Sequence, residues 1–170
     1  MESGWKAVLE RQRLSGYAGF RGASVKGRLP VRESLVNEAI QSAQAGKRGA
    51  AWIERIEIRD NNLVNVSLGT TLWFLSRVSL ELAIEPIIDF PRSPLLRIHI
   101  SGLQGTIVEL IQDKLRLPPN IAVIQSRTLT INLRAALETA GRADLVPLVQ
   151  YLGITTEPGT LTLELGLAVP

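Results

Sequence analysis

The sequence predicts an α+β fold: a curved antiparallel sheet of about seven strands, packed on or wrapped around two to three amphipathic helices. Three observations predict it. Seven segments alternate apolar and polar residues with a period of two, the pattern of a strand with one buried and one wet face. Other stretches switch to three- and four-residue spacing, the pattern of an amphipathic helix. The strands follow one another through hairpins or helices with no regular strand-helix-strand period, and each keeps a polar face, which excludes a doubly wound sheet between helix layers.

The elements follow in chain order. "ASVKGRL" sets Ala23, Val25, Gly27 and Leu29 against Ser24, Lys26 and Arg28, a first strand with a basic outer face. Pro30 suits the first turn of a helix, and Val31, Leu35, Val36, Ala39, Ile40 and Ala43 recur at helical spacing up to Gly46. "WIERIEIRD" and "LVNVSLG" form a hairpin through Asp60, Asn61 and Asn62, residues that tolerate positive φ. "RVSLELAIEP" and "LLRIHISG" are two further strands.

Ser101 and Gln104 then make a capping box for a helix over 103–117, with Leu103, Ile107, Leu110, Ile111 and Leu115 in one stripe and "LPPN" as its stop. "RTLTINL" alternates again, "RAALETAGRADLVPLVQYLG" reads as one broken helix or two short ones, and "GTLTLELGLAV" is the terminal strand. The helices at 31–45, 103–117 and around 135–152 are expected to cover the apolar face of the sheet.

The 170 residues are read as a single domain, 1–170, with 1–22 as a basic N-terminal arm. Residues 1–28 carry six basic groups against two acidic, whereas the other 142 carry thirteen against fourteen, so the net charge of +3 belongs to the N-terminal segment. The absence of cysteine excludes disulfides, thiolate metal sites and cysteine nucleophiles, and a single histidine, His99, cannot build a zinc site without several carboxylates. No signal peptide or membrane-spanning run is read in the chain, so the cytoplasm is the default expectation.

The order of elements in "GRLPVRESLVNEAI", "IERIEIRDNNLVNVSLG", "GLQGTIVELIQDKLRLPPNIAVIQSRTLTINLRAALETAG" and "LGITTEPGTLTLELGLAV" resembles the tubular lipid-binding (TULIP) superfamily, and bacterial domains of that type most of all. The likeness is one of pattern and runs from about residue 23 to the end. It implies a strongly curved antiparallel sheet around a long helix, with an apolar groove for acyl chains.

Each candidate chemistry has a plain counterpart. His99 and Ser101 share a strand face and could serve acyl transfer, although side chains at i and i+2 are too far apart for a direct hydrogen bond and no third group is evident; an exposed structural histidine is preferred. Glu81, Glu85 and Asp89 could pair as acid and base, but alternation reads them as a solvated face running into a loop. "GYAGFRG" and "AGKRGA" lack the Lys-Ser/Thr ending of a P-loop. "SGWKAVLERQRL" places Trp5, Lys6, Arg11 and Arg13 where they could touch an anionic membrane or a partner, or where the arm packs on its own domain or a neighbouring subunit.

The sequence is therefore read as a non-enzymatic module that binds a lipid or other elongated hydrophobic ligand, without a cofactor, metal or catalytic residue. The expected lining is Leu35, Ile40, Leu80, Leu82, Ile107, Ile111, Leu129, Ile131, Leu163 and Leu165. The alternative is a structural or oligomerisation domain with a solid core, forming a homo-oligomer, and the third reading is an acyl thioesterase of the hot-dog type. Nucleic acid is not an expected partner.

Overall fold

The computed structural model describes residues 2–45, 51–71, 77–88, 90–102 and 118–169, without the side chains of 2–6, Leu9 and Ala51. Along the chain run α1 (Glu2–Leu14), β1 (Ser24–Arg32), α2 (Glu33–Gln44), β2 (Ala51–Ile58), β3 (Leu63–Thr70), β4 (Arg77–Ile84) and β5 (Leu95–Ser101). They are followed by β6 (Ala122–Gln125), β7 (Thr128–Asn132), α3 (Leu133–Thr139), β8 (Val149–Glu157) and β9 (Thr160–Ala168). Short 3-10 turns occupy Ala18–Phe20 and Ala143–Leu145. The helix expected over 103–117 lies outside the described residues.

The α+β class and the antiparallel pairing stand, but the single sheet of about seven strands does not. Nine described strands form two sheets, one ordered β1-β9-β8 and the other β2-β3-β4-β5-β7-β6. The physical reason lies in α2, which fills the edge of β2 that another strand would otherwise have paired with. Asn37 Oδ1 accepts from the Ile56 amide at 2.7 Å, and its Nδ2 donates to the Ile56 carbonyl at 2.8 Å. Gln44 repeats this on Ile53, accepting at 2.9 Å and donating at 3.3 Å, and Glu33 Oε2 accepts from the Ile58 amide at 2.8 Å. Three side chains thus take over the hydrogen bonds of a neighbouring strand.

The spacing works because of a bulge. The seven residue steps from Asn37 to Gln44 rise about 10.5 Å, close to the roughly 10 Å covered by the three steps from Ile53 to Ile56. In a regular strand, residues three apart present their amides to opposite edges. The register shift between Ile53 and Arg55 absorbs one residue, so Ile53, Ile56 and Ile58 all turn toward α2. It also keeps Ile53 and Ile56 packed against the same core.

Two further expectations are corrected. Helix α2 begins at Glu33, and Pro30 lies within β1, an edge strand where a missing amide hydrogen is tolerated. The segment 134–153, read as one broken helix or two short ones, is helical to Thr139 and makes a 3-10 turn at Ala143–Leu145, and Val149 opens β8. There the three-residue step from Val149 to Leu152 is again a bulge, marked by the register shift between Val149 and Tyr151, and it imitates helical periodicity. The Asn61 and Asn62 turn is as expected, with φ of 54° and 60°.

The two sheets meet where that turn reaches the β8-β9 hairpin. Asn62 Oδ1 accepts from the Thr156 amide at 3.0 Å, and the Gly159 amide donates to the Ile58 carbonyl at 2.9 Å. The Glu33 amide donates to the Gly159 carbonyl at 2.9 Å. One buried cluster, built on Val64, Val66, Leu68, Val78, Leu80 and Ile100, fills the apolar face of the six-stranded sheet. A second, of Ile87, Phe90 and Val149, joins the three-stranded sheet to Leu96 and Leu133.

Candidate ligand-binding face

The pairing of the three-stranded sheet lines up its apolar residues in rows. Val25, Gly27, Leu29 and Val31 of β1 stand opposite Leu167, Leu165, Leu163 and Leu161 of β9. Those in turn stand opposite Val149, Leu152, Ile154 and Thr156 of β8. Because cross-strand partners share a face, all twelve positions lie on one side of the sheet.

Described residues cover only part of that side. Val149, Leu152, Ile154 and Leu167 pack with Ile87 and Phe90 in the second cluster. Toward β1 the face is open: Val25 is 63% exposed, Leu29 60% and Leu165 37%. Gly27 lies between Val25 and Leu29 and opposite Leu165, and a Cβ placed on it would meet nothing within 4 Å. The result is an apolar strip with a notch at its centre. At its far end the Thr156 hydroxyl is buried without a hydrogen-bond partner among the described residues.

The opposite side is polar. Arg28 Nε pairs with Glu164 Oε1 at 2.9 Å, and the Tyr151 hydroxyl donates to Glu164 Oε2 at 3.2 Å, a clasp across all three strands. The Tyr151 side chain lies over Gly153 and Gly166, where a Cβ would approach it to 2.5 and 3.2 Å. Burial, then the hydrogen bond to Glu164, pushes the Tyr151 phenol above its usual 10.0.

The ten expected lining residues do not share one groove among the described residues. Leu163 and Leu165 belong to the open strip, whereas Leu80 is 4% exposed inside the first cluster, with Leu82 and Leu129 packed on it. Ile131 is half-buried on β7, and Ile40 is half-buried on α2. Leu35 is 57% exposed, because α2 meets β2 through Glu33, Asn37 and Gln44. Ile107 and Ile111 lie outside the described residues. Sequence reasoning missed Val25, Gly27 and Leu29 as site residues, although their alternation with Lys26 and Arg28 was visible.

On the N-terminal arm, Arg11 and Arg13 are exposed on α1; the side chains of Trp5 and Lys6 are outside the described set. The arm is tied down through Tyr17, whose hydroxyl donates to Asp144 Oδ2 at 2.9 Å. Arg13 adds an ion pair to Glu10 at 3.3 Å and a longer one to Asp144 at 4.0 Å.

His99 bonds to residues other than Ser101. Its Nε2 is hydrogen-bonded to Glu85 Oε1, its Nδ1 lies 3.0 Å from Thr128 Oγ1, and Arg97 adds an ion pair to Glu85 at 3.8 Å. Thr128 is the cross-strand neighbour of His99, a relation that only the β5-β7 register discloses. An acid, an imidazole and a hydroxyl in line have the order of a nucleophile relay. Here they lie on the wet face of the strands, and they tie β5 and β7 to the segment after β4. Asp89 is outside the described residues. Among those described, no group of three metal-ligating side chains could hold an ion, and no helix is long and apolar enough to cross a membrane.

Comparison of the chain with protein-family models, with curated proteins and with solved structures returned no match.

Proposed function

We propose that the protein binds a lipid or another elongated hydrophobic ligand, without catalysis, along the open strip of Val25, Leu29, Leu163 and Leu165. The observation that carries this reading is the pair of side chains Val25 and Leu29, largely open to water on the same face that is packed at Val149 and Leu167. Burying a methylene contributes about 0.8 kcal/mol, so about ten methylenes laid along the strip supply the order of micromolar affinity before association costs. The notch at Gly27 gives a chain room to cross β1. A kinship with tubular lipid-binding domains is part of this proposal and supplies its ligand class. So is a peripheral contact with anionic membrane through Arg11 and the apolar Val8, Leu14 and Phe20, all exposed.

Native mass spectrometry of freshly purified protein, with its organic extract analysed in parallel, tests the reading. A near-stoichiometric lipid is expected. An environment-sensitive fluorescent fatty acid is expected to bind the native chain and to lose binding in Leu29→Glu and Leu165→Glu. A clean apo mass after incubation with mixed lipids, or uptake unaltered by both substitutions in folded protein, refutes it.

A further inference from the structure

The first strand has a second open feature, its outer edge. Two bonds bracket the β1-β9 ladder: the Val169 amide donates to the Ala23 carbonyl at 3.0 Å and the Glu33 amide to the Gly159 carbonyl at 2.9 Å. They fix its parity, since backbone groups alternate between the two edges of a strand. Odd-numbered residues turn toward β9, so the amides and carbonyls of Ser24, Lys26 and Arg28, with the carbonyl of Pro30, point away from the sheet. Every residue from Ser24 to Pro30 is exposed. Among the described residues, α2 closes the edge of β2, whereas no element pairs with this edge of β1.

The side chains along the bare edge define what it would accept. Lys26 and Arg28 lie on one face, Val25 and Leu29 on the other, with Gly27 between. Pairing β1 with β1 of a second copy about Gly27 would set Lys26 against Arg28 twice, and like charges directly opposite destabilise a pair. An acidic strand reverses that sign and keeps the apolar pairing. Arg28 already holds Glu164, whereas Lys26 makes no ion pair to a described residue and faces an incoming carboxylate.

We infer that β1 receives an extended segment of a partner protein in which acidic residues alternate with apolar ones. The segment adds antiparallel to the edge, with its backbone on Ser24, Lys26 and Arg28, a carboxylate beside Lys26, and its apolar side chains on Val25 and Leu29. The missing amide hydrogen of Pro30 limits the paired length. This inference does not depend on the ligand reading.

The test is fluorescence anisotropy of the full chain with a labelled heptapeptide of alternating valine and glutamate. Saturable binding is expected, at least about tenfold weaker for a peptide with proline at its centre. It should also weaken as the screening length falls from about 30 to about 8 Å between roughly 0.01 and 0.15 M salt. Lys26→Glu with Arg28→Glu should abolish it and transfer binding to a valine-lysine peptide, with the melting temperature checked to confirm folding. Equal binding of both peptides, indifference to the central proline, self-association through β1, or binding of those residues to anionic vesicles but to no peptide overturns the inference. Uptake of fluorescent fatty acid is read alongside: Lys26→Glu/Arg28→Glu should spare it and Leu165→Glu should spare peptide binding, so the two readings fail separately.

Discussion

Replacing Asn37 by Ala tests how the helix α2 is held. The substitution removes the acceptor of the Ile56 amide at 2.7 Å and the donor to the Ile56 carbonyl at 2.8 Å, on a half-buried strand edge. Each such bond contributes roughly 0.5–1.5 kcal/mol net, so about 1–3 kcal/mol is at stake. Alanine is a better helix former than asparagine by roughly half a kcal/mol, which trims the expected loss to about 0.5–2.5 kcal/mol. At about 2–4 °C per kcal/mol for a chain of this length, the melting temperature should drop by roughly 1–10 °C. Urea unfolding followed by circular dichroism gives the free energy directly, and light scattering should report association through the exposed β2 edge. The control is Leu35→Ala on the same helix, at a side chain 57% exposed, where the expected change is within about 0.5 kcal/mol. The reverse ranking, with Leu35→Ala costing more than Asn37→Ala, would refute the reasoning and restore an apolar stripe as the helix's attachment.

Other expectations are read from single sites. Gly69→Ala would drive a Cβ to 2.3 Å from the Trp52 ring; the displaced indole should cost about 1–3 kcal/mol and change tryptophan emission, and an unchanged spectrum and midpoint would contradict that packing. Thr156→Val deletes a buried hydroxyl without a partner, so denaturant stability should hold or rise; a loss above about 1 kcal/mol would show that the hydroxyl is satisfied in solution. The Tyr17 phenol is pushed above 10.0 by burial and by its bond to Asp144. A raised folded-state value means the unfolded chain loses its proton first, so this contribution is intact below about pH 10 and declines as pH rises beyond it. Tyr17→Phe should flatten that decline in alkaline unfolding, and an identical slope in both proteins would deny the coupling.

How much of this was legible in the sequence depended on whether a residue's neighbours were local. Alternation gave the faces of β1, β3, β4, β5, β7 and β9, and Asn61 and Asn62 gave a turn, because both signals need only the nearby chain. The start of β8, from Val149 to Gly153, was read as helix since its bulge spaces Val149 and Leu152 as a helix would. The Ile53 to Ile56 step is the same irregularity in β2, and it was visible as a break in the period of two. The partner of His99 was not visible, because Thr128 reaches it only through the register of β5 and β7.

The division into two sheets was the least legible feature, and its cause is chemical. A helix whose apolar periodicity runs through Val31, Leu35, Val36, Ala39, Ile40 and Ala43 reads as packing by that stripe alone, whereas its half-buried face sets Glu33, Asn37 and Gln44 beside Val36 and Ile40. Apolar counting gives weight to surface removed from water, whereas this helix answers a different demand, that of a strand edge whose amides and carbonyls need partners. With α2 on that edge, β1 pairs with β9, and Val25, Leu29 and the outward backbone of β1 are exposed. A chain carrying Asn37→Ala and Gln44→Ala should therefore do more than lose stability: with the β2 edge exposed, it should gain a competing site for strand pairing. Binding of the valine-glutamate peptide that then survived Lys26→Glu/Arg28→Glu would locate that second site on β2, whereas binding still abolished by those substitutions would contradict α2 as the cover of that edge.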